Sequence, residues 1–209
     1  MIKSQSNIQT QIVPEFSIPE HQTIKRILLF LWNVLPDFEH DFKTDRPDIN
    51  LEDDISEQLL LYFQVKAKDD DLLFSFNAKK GVDFRIQVEP FKLGAESIFV
   101  IEAKRLSKKH YDYVSGDHGG IERFKRELVG FGKHLSSGAM IGYIQEQDKE
   151  YWYTKINSWT DKLIKSESDI IWTDDDKLVP EKEISHYISK HLRSSGTKIT
   201  LYHFWISLN

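Results

Sequence analysis

Apolar residues recur along the chain at two spacings, which divide it into helices and strands. A spacing of three and four residues from Pro19 to about Val34 predicts a first helix, and Pro36 is expected to end it. The same spacing over 51–67 predicts a second helix, with Asn50 as its N-cap. Shorter apolar runs, alternating or continuous, then predict three strands, at 72–79, 82–88 and 97–104.

The second half of the chain mixes both kinds of pattern. They predict helices over 121–135, 155–164 and 181–193, and strands over 139–145 and 198–208. The sequence therefore predicts an α/β protein with a mixed central sheet flanked by helices. The last strand is strongly apolar, and we expect it to complete the sheet rather than to form a dimer edge. No linker divides the chain, so a single domain over 1–209 is expected.

Composition narrows the class of protein. The 209 residues are 40% hydrophobic and 12% aromatic, which favours a folded core over disorder. The chain contains no cysteine, which excludes disulfides, a thiolate zinc site and a cysteine nucleophile. No apolar run approaches the roughly 18 residues of a membrane helix, and the first residues lack an apolar signal core. We therefore expect a cytoplasmic protein without a membrane partner.

Charge is distributed unevenly along the chain. The net charge is -5, which by itself argues against nucleic acid as a partner. Between Lys79 and Lys133, however, twelve basic residues face eight acidic ones. An excess of positive charge in the middle of the chain is a weak indication of an anionic partner, and a solvated surface explains it equally well.

Charged residues interrupt the two most apolar strands. Asp83 lies within the second strand, and Glu102 and Lys104 follow directly on the apolar run of the third. If these strands pair antiparallel about a centre near residues 92 and 93, Asp83 lies opposite Glu102, at a Cβ separation of about 5 Å. Residues two apart on a strand share a face, so Lys104 joins them.

Two chemical interpretations fit this convergence. Two close carboxylates repel each other, and a hard divalent cation such as Mg²⁺ or Mn²⁺ removes that cost while leaving room for a phosphate. Lys104 would then orient or activate a water. A metal ion, its carboxylate ligands and such a lysine are the groups that metal-assisted phosphodiester hydrolysis needs. Alternatively, Lys104 bridges both carboxylates as an ordinary buried ion pair.

The spacing of these residues resembles the PD-(D/E)XK nuclease superfamily, which has a restriction-endonuclease-like fold. The resemblance covers about 51–145, whose predicted helix, three strands, helix and strand match the αβββαβ core of that family; 19–35 and 155–208 would be elaborations. It implies that Asp83 and Glu102 bind metal, that Ala103 lends its carbonyl to the metal and that Lys104 acts on water. It also implies that Glu57 of the preceding helix assists by binding a second metal or holding a water. Val82 replaces the nominal proline of the motif.

Basic residues after the motif are candidates for contacts with nucleic acid. Such contacts to phosphates set affinity rather than sequence preference. The candidates lie in the loop after the third strand and on the predicted helix that follows: Arg105, Lys108, Lys109, Arg123, Arg126 and Lys133. For each of them, a solvated basic surface is the alternative.

These observations lead to one expectation and two alternatives. We expect a metal-dependent nuclease acting on DNA rather than RNA, in which a homodimer or partner subunit supplies specificity. One alternative is a non-catalytic nucleic-acid-binding or assembly subunit of the same fold. The other is a protein-interaction domain of a defence system, which would dock through the aromatic C-terminal strand.

Overall fold

The first helix continues beyond Pro36. The computed structural model describes residues 19–46, 48–77, 81–90, 96–107 and 111–209, and α1 runs over Pro19–Asp45 with Pro36 inside it. The prediction that Pro36 ends this helix was therefore wrong. Phe38 and Phe42 continue the apolar stripe beyond Pro36 and are 3% and 5% exposed. Their burial offsets a helix-interior proline, which costs about 3 kcal/mol.

The second helix begins without a side-chain cap. α2 spans Glu52–Lys66, and its N-cap is Leu51, so Asn50 does not have the predicted capping role. The Asn50 carbonyl instead accepts hydrogen bonds from the side chains of Arg105 (3.3 Å) and Gln145 (2.7 Å). These contacts hold the start of α2 against the ends of two sheet strands.

Within the described residues, seven strands form one mixed sheet, which confirms the α/β class. The strands are β1 (Leu72–Phe76), β2 (Phe84–Val88), β3 (Phe99–Leu106), β4 (Ser137–Ile144), β5 (Val179–Pro180), β6 (Tyr187–Leu192) and β7 (Lys198–Ser207). Their spatial order is β1-β2-β3-β4-β7-β6-β5. β2 is antiparallel to both β1 and β3, β4 is parallel to both β3 and β7, and β6 is antiparallel to both β7 and β5.

The remaining helices differ from the predicted ones in length. α3 covers only Gly120–Lys125, and α4 covers Lys149–Ile164. The predicted helix over 121–135 was wrong after Lys125, because Glu127 and Gly130 adopt positive φ and turn the chain away. Short 3₁₀ turns lie at Tyr111–Tyr113 and Asp174–Asp176.

The predicted helix over 181–193 was also wrong. That segment contains β6, in which Ser189 and His191 are buried while Lys190 between them is exposed. The alternation is that of a strand, but the inward residues are polar and do not register as apolar positions. β7 lies between β4 and β6, so the last strand completes the sheet as predicted.

Both faces of the sheet are covered over most of its width. α1 and α2 pack on the face that carries Phe84, Ile101 and Ala103. α3, α4 and the connecting loops pack on the face that carries Val100 and Leu106. Within the described residues, no helix is both long and apolar enough to cross a membrane.

Candidate active site

The strand register brings the first two predicted residues together. β2 and β3 pair with Phe84 opposite Ile101, and one more step of this register sets Asp83 opposite Glu102, as the sequence predicted. Asp83 lies just before β2, and its Oδ2 accepts a 2.7 Å hydrogen bond from the backbone N–H of Ala103. Because the N–H and C=O of a strand residue face the same side, the Ala103 carbonyl is directed toward the same edge of β3.

Glu102 is the centre of the cluster. It is fully buried, and its Oε1 accepts from the ammonium of Lys104 at 2.9 Å and from the guanidinium of Arg123 at 2.8 Å. Both cations contact the same oxygen. Among the described residues, the other oxygen, Oε2, has no hydrogen-bond partner although it is buried. A buried carboxylate oxygen without a partner is costly and is an unusual feature in a folded protein.

The helical acid at this site is Glu52. Its Oε1 contacts Lys104 Nζ at 3.0 Å, and its Oε2 accepts from the backbone N–H of Arg105 at 2.8 Å. Glu57 is exposed and makes no hydrogen bond or ion pair with the residues that the structure describes. On a helix, Glu52 lies one turn before the buried Ile55 and Ser56, whereas Glu57 points away from that face. The structure thus brings together Asp83, Glu102, Lys104 and Ala103, and it places Glu57 apart from them.

Burial and neighbouring charges shift the pKa values of the ionisable groups in the cluster. Burial, reinforced by the nearby charge of Glu102, raises the pKa of Asp83 to about 8. Burial also raises the pKa of Glu102, although Lys104 and Arg123 oppose the change. Burial by itself lowers the pKa of Lys104, but the carboxylates of Glu102, Glu52 and Asp83 outweigh it and raise that pKa above its ordinary value. Lys104 is therefore a fixed cation at neutral pH.

The oxygen atoms of Asp83, Glu102 and Ala103 provide part of the ligand set of a hard divalent cation. Asp83 and Glu102 each keep one carboxylate oxygen outside the hydrogen bonds described above, and the Ala103 carbonyl lies at the same edge. Oxygen ligands of this kind suit Mg²⁺ or Mn²⁺, which keep several waters when bound by one or two carboxylates. Among the described residues, no group of three or more His, Cys, Asp or Glu side chains is arranged to hold a metal. A metal here would depend on two carboxylates, one carbonyl and water.

The residues predicted to contact nucleic acid differ in their exposure and in the groups that they contact. Arg123 contacts Glu102, and Arg126 forms a bidentate pair with Asp169 at 2.7 and 2.8 Å as well as a 2.7 Å pair with Glu122. Lys133 is exposed, and Arg105 donates to the Asn50 carbonyl. Lys108 and Lys109 lie outside the described residues.

Sequence reasoning missed two residues of the site. Glu52 was not predicted as a site residue, and Arg123 was predicted only as a candidate for contact with nucleic acid. The position of Glu52, one helical turn before Ile55 and Ser56 on the buried face of α2, was a signal available in the sequence. No comparable signal marks Arg123, because its contact with Glu102 depends on how α3 packs on the sheet.

Comparisons with known proteins add no assignment. No protein-family model matches the chain, and no curated protein and no solved structure is similar to it. The argument for function therefore rests on the geometry of the cluster.

Proposed function

We propose that the protein is a metal-dependent nuclease of the PD-(D/E)XK type, with a restriction-endonuclease-like fold, that hydrolyses phosphodiester bonds of DNA in the cytoplasm. The observation that carries the proposal is the buried Glu102 carboxylate, which has one oxygen paired with Lys104 and Arg123, while the other has no hydrogen-bond partner in the part of the chain that the structure describes. The order α2-β1-β2-β3-α3-β4 and the strand register that sets Asp83 opposite Glu102 support it.

Each residue of the cluster has a role in this proposal. Asp83, Glu102 and the Ala103 carbonyl would hold Mg²⁺ or Mn²⁺, which polarises the phosphate and lowers the pKa of a bound water. Lys104, held between Glu102 and Glu52, donates hydrogen bonds that orient the attacking water and stabilise the negative charge that develops on the phosphate. Arg123 neutralises Glu102 and fixes its orientation. Glu52 fixes Lys104, and it takes the place of Glu57 as the helical acid of the cluster.

Cleavage assays test the proposal directly. Plasmid, linear duplex DNA, single-stranded DNA and RNA are incubated with the protein in Mg²⁺, in Mn²⁺ and in EDTA. We expect metal-dependent cleavage of at least one DNA substrate, because the cluster supplies the parts of metal-assisted hydrolysis. Glu102→Gln is the matched control, since the amide keeps the size of the side chain but loses the charge. Cleavage by both proteins, or by neither when both are folded, would contradict the proposal.

Metal binding gives a second readout that does not depend on turnover. Saturating Mg²⁺ or Mn²⁺ is expected to raise the melting temperature by several degrees, because a cation that binds only the folded state stabilises it. Asp83→Asn removes one carboxylate and is expected to abolish the increase, whereas Glu57→Gln leaves it unchanged. Differential scanning fluorimetry with and without metal measures both. An equal increase in all three proteins would show that the cation binds elsewhere.

One observation favours a second candidate, a non-catalytic nucleic-acid-binding subunit of the same fold. Lys104 and Arg123 already neutralise Glu102, and Lys104 also pairs with Glu52. Such a network is also what a purely structural ion cluster looks like. Binding of DNA without cleavage and without a metal-dependent change in melting temperature would identify this candidate.

A further inference from the structure

A groove of about 580 Å³ lies beside the carboxylate cluster. Its floor is the part of β1 and β2 that α3 and α4 leave uncovered, including the exposed Ser75. Its far wall is the loop after α3, which contributes Gly130 and the exposed Lys133. The volume lies within the range of pockets that hold ligands of small-molecule size.

Arg85 is the main charged group of the groove. Among the described residues, its guanidinium makes no hydrogen bond or ion pair, although the side chain is only partly exposed. The guanidinium lies against the backbones of Gly81 and Gly130, where a Cβ would come within 3.2 and 2.9 Å of Nη2. Both glycines have positive φ. The chain therefore leaves room for this cation at two positions where another residue would strain the backbone and crowd the guanidinium.

The groove neighbours the candidate active site through Arg85. Asp83 and Arg85 are two residues apart and lie on the same face of the chain, which separates their Cα atoms by about 7 Å. On the other side of Arg85, the Gly81 carbonyl accepts from the guanidinium of Arg123 at 3.4 Å, and Arg123 contacts Glu102. A nucleic-acid strand advances about 3.4 Å per nucleotide along its axis. Arg85 thus lies about two nucleotides from the carboxylates.

We propose that this groove binds the phosphate backbone of the substrate strand on one side of the scissile bond, with Arg85 contacting one phosphate and Lys133 the next. The inference rests on the proposed nuclease function. A guanidinium is suited to bidentate contact with a phosphate, and a lysine adds a point charge. Among the described residues that line the groove, Glu96 is the only acid, and it lies 3.4 Å from His134. Arg85 and Lys133 thus give the described lining more positive than negative charge.

Binding measured as a function of salt tests this assignment. Fluorescence anisotropy of a labelled 20-nucleotide DNA strand and of its duplex is recorded in EDTA, which prevents cleavage, between 50 and 200 mM KCl. Arg85→Gln is expected to weaken binding about tenfold at 100 mM KCl. It should also lower the slope of log K against log salt by about 0.7 for the single strand or 0.9 for the duplex, because one phosphate contact is lost. Arg85→Lys should keep the slope, because the charge remains.

Two further variants complete the design. Lys133→Gln, at an exposed position, is expected to lower the slope by a similar amount. If Arg85→Gln does not fold, this variant alone tests whether the groove binds phosphates. Lys190→Gln is the control, because Lys190 is exposed on β6, toward the other edge of the sheet from β1 and β2. This variant should bind as wild type does. Wild-type affinity and slope in both groove variants would overturn the groove assignment alone. Failure of the wild-type protein to bind or cleave any DNA or RNA would overturn the proposed function together with it.

Discussion

Replacing Lys104 by glutamine is expected to slow cleavage by about 10²–10³-fold and to leave DNA affinity nearly unchanged. The ammonium lies 2.9 Å from Glu102 and 3.0 Å from Glu52, and its side chain is 9% exposed, so it adds little to the surface that meets a substrate. The surrounding carboxylates raise the pKa of Lys104, so the group stays protonated through the neutral range and is suited to donate hydrogen bonds rather than to remove a proton from water. In the proposed nuclease its contribution would therefore lie in the transition state, and its loss should lower kcat more than it changes Kd.

The controls separate chemistry from folding. Glutamine keeps a polar hydrogen-bond donor at this position, and circular dichroism and the melting temperature show whether the variant is folded. Single-turnover cleavage with saturating enzyme measures the rate, and anisotropy in EDTA measures affinity. Lys190→Gln removes a lysine from an exposed position on β6 and should change neither quantity. If Lys104→Gln weakens binding as much as it slows cleavage, Lys104 is a binding residue and its assigned role is wrong.

The core of the site was predictable because it depends on the pairing of two consecutive strands. Once two strands form a hairpin, a two-residue period and one centre of symmetry fix which residues face each other, and extending the observed pairing of Phe84 with Ile101 by one residue sets Asp83 opposite Glu102. The contacts of Glu52 with Lys104 and of Arg123 with Glu102 join helices to the sheet. They depend on where two helices pack on the sheet, which the local pattern does not encode.

The errors in the fold have a common physical origin. Strands with an apolar inward face, such as β3 and β4, were predicted from their sequence. β6 was predicted as a helix because its inward residues, Ser189 and His191, are polar. In the protein interior they are stabilised by hydrogen bonds rather than by apolar contacts. The predicted end of α1 at Pro36 was too early, because the rule for proline describes an isolated helix and not one whose next turns bury Phe38 and Phe42 in the core.

Those polar residues belong to a buried network that periodicity does not detect. Asp176 contacts both Lys125 and His191, the latter at 2.5 Å. The chain of hydrogen bonds continues through Ser189 to His203 at 2.6 and 2.7 Å and then to the hydroxyl of Tyr113. All of these side chains are almost completely buried. An Asp–His–Ser sequence of contacts is typical of hydrolases, but a nucleophile must be reached by substrate, and this serine is 2% exposed. The network is therefore structural.

Replacing Asp176 by asparagine is expected to destabilise the protein by about 3–5 kcal/mol, which corresponds to a melting temperature lower by about 10 °C. Burial by itself raises the pKa of Asp176, but His191 and Lys125 outweigh it and lower that pKa, so the carboxylate is charged at neutral pH. The substitution leaves the fully buried ammonium of Lys125 without a counter-ion. Among the described residues, the ring of Trp172 lies 4.4 Å from that charge, and it replaces a small part of the lost interaction.

Two comparisons isolate the buried charge as the cause. Asp161→Asn makes the same chemical change in an exposed pair with Lys177, where the acid is 46% exposed, and should cost less than about 1 kcal/mol. The double variant Lys125→Met with Asp176→Asn removes both charges and is expected to recover most of the stability, since a neutral interior no longer holds an unpaired ion. Urea unfolding at pH 7 gives the free energies of all four proteins. If the double variant is no more stable than Asp176→Asn alone, the cost arises from the lost hydrogen bonds to His191 and Thr173 and not from the charge on Lys125.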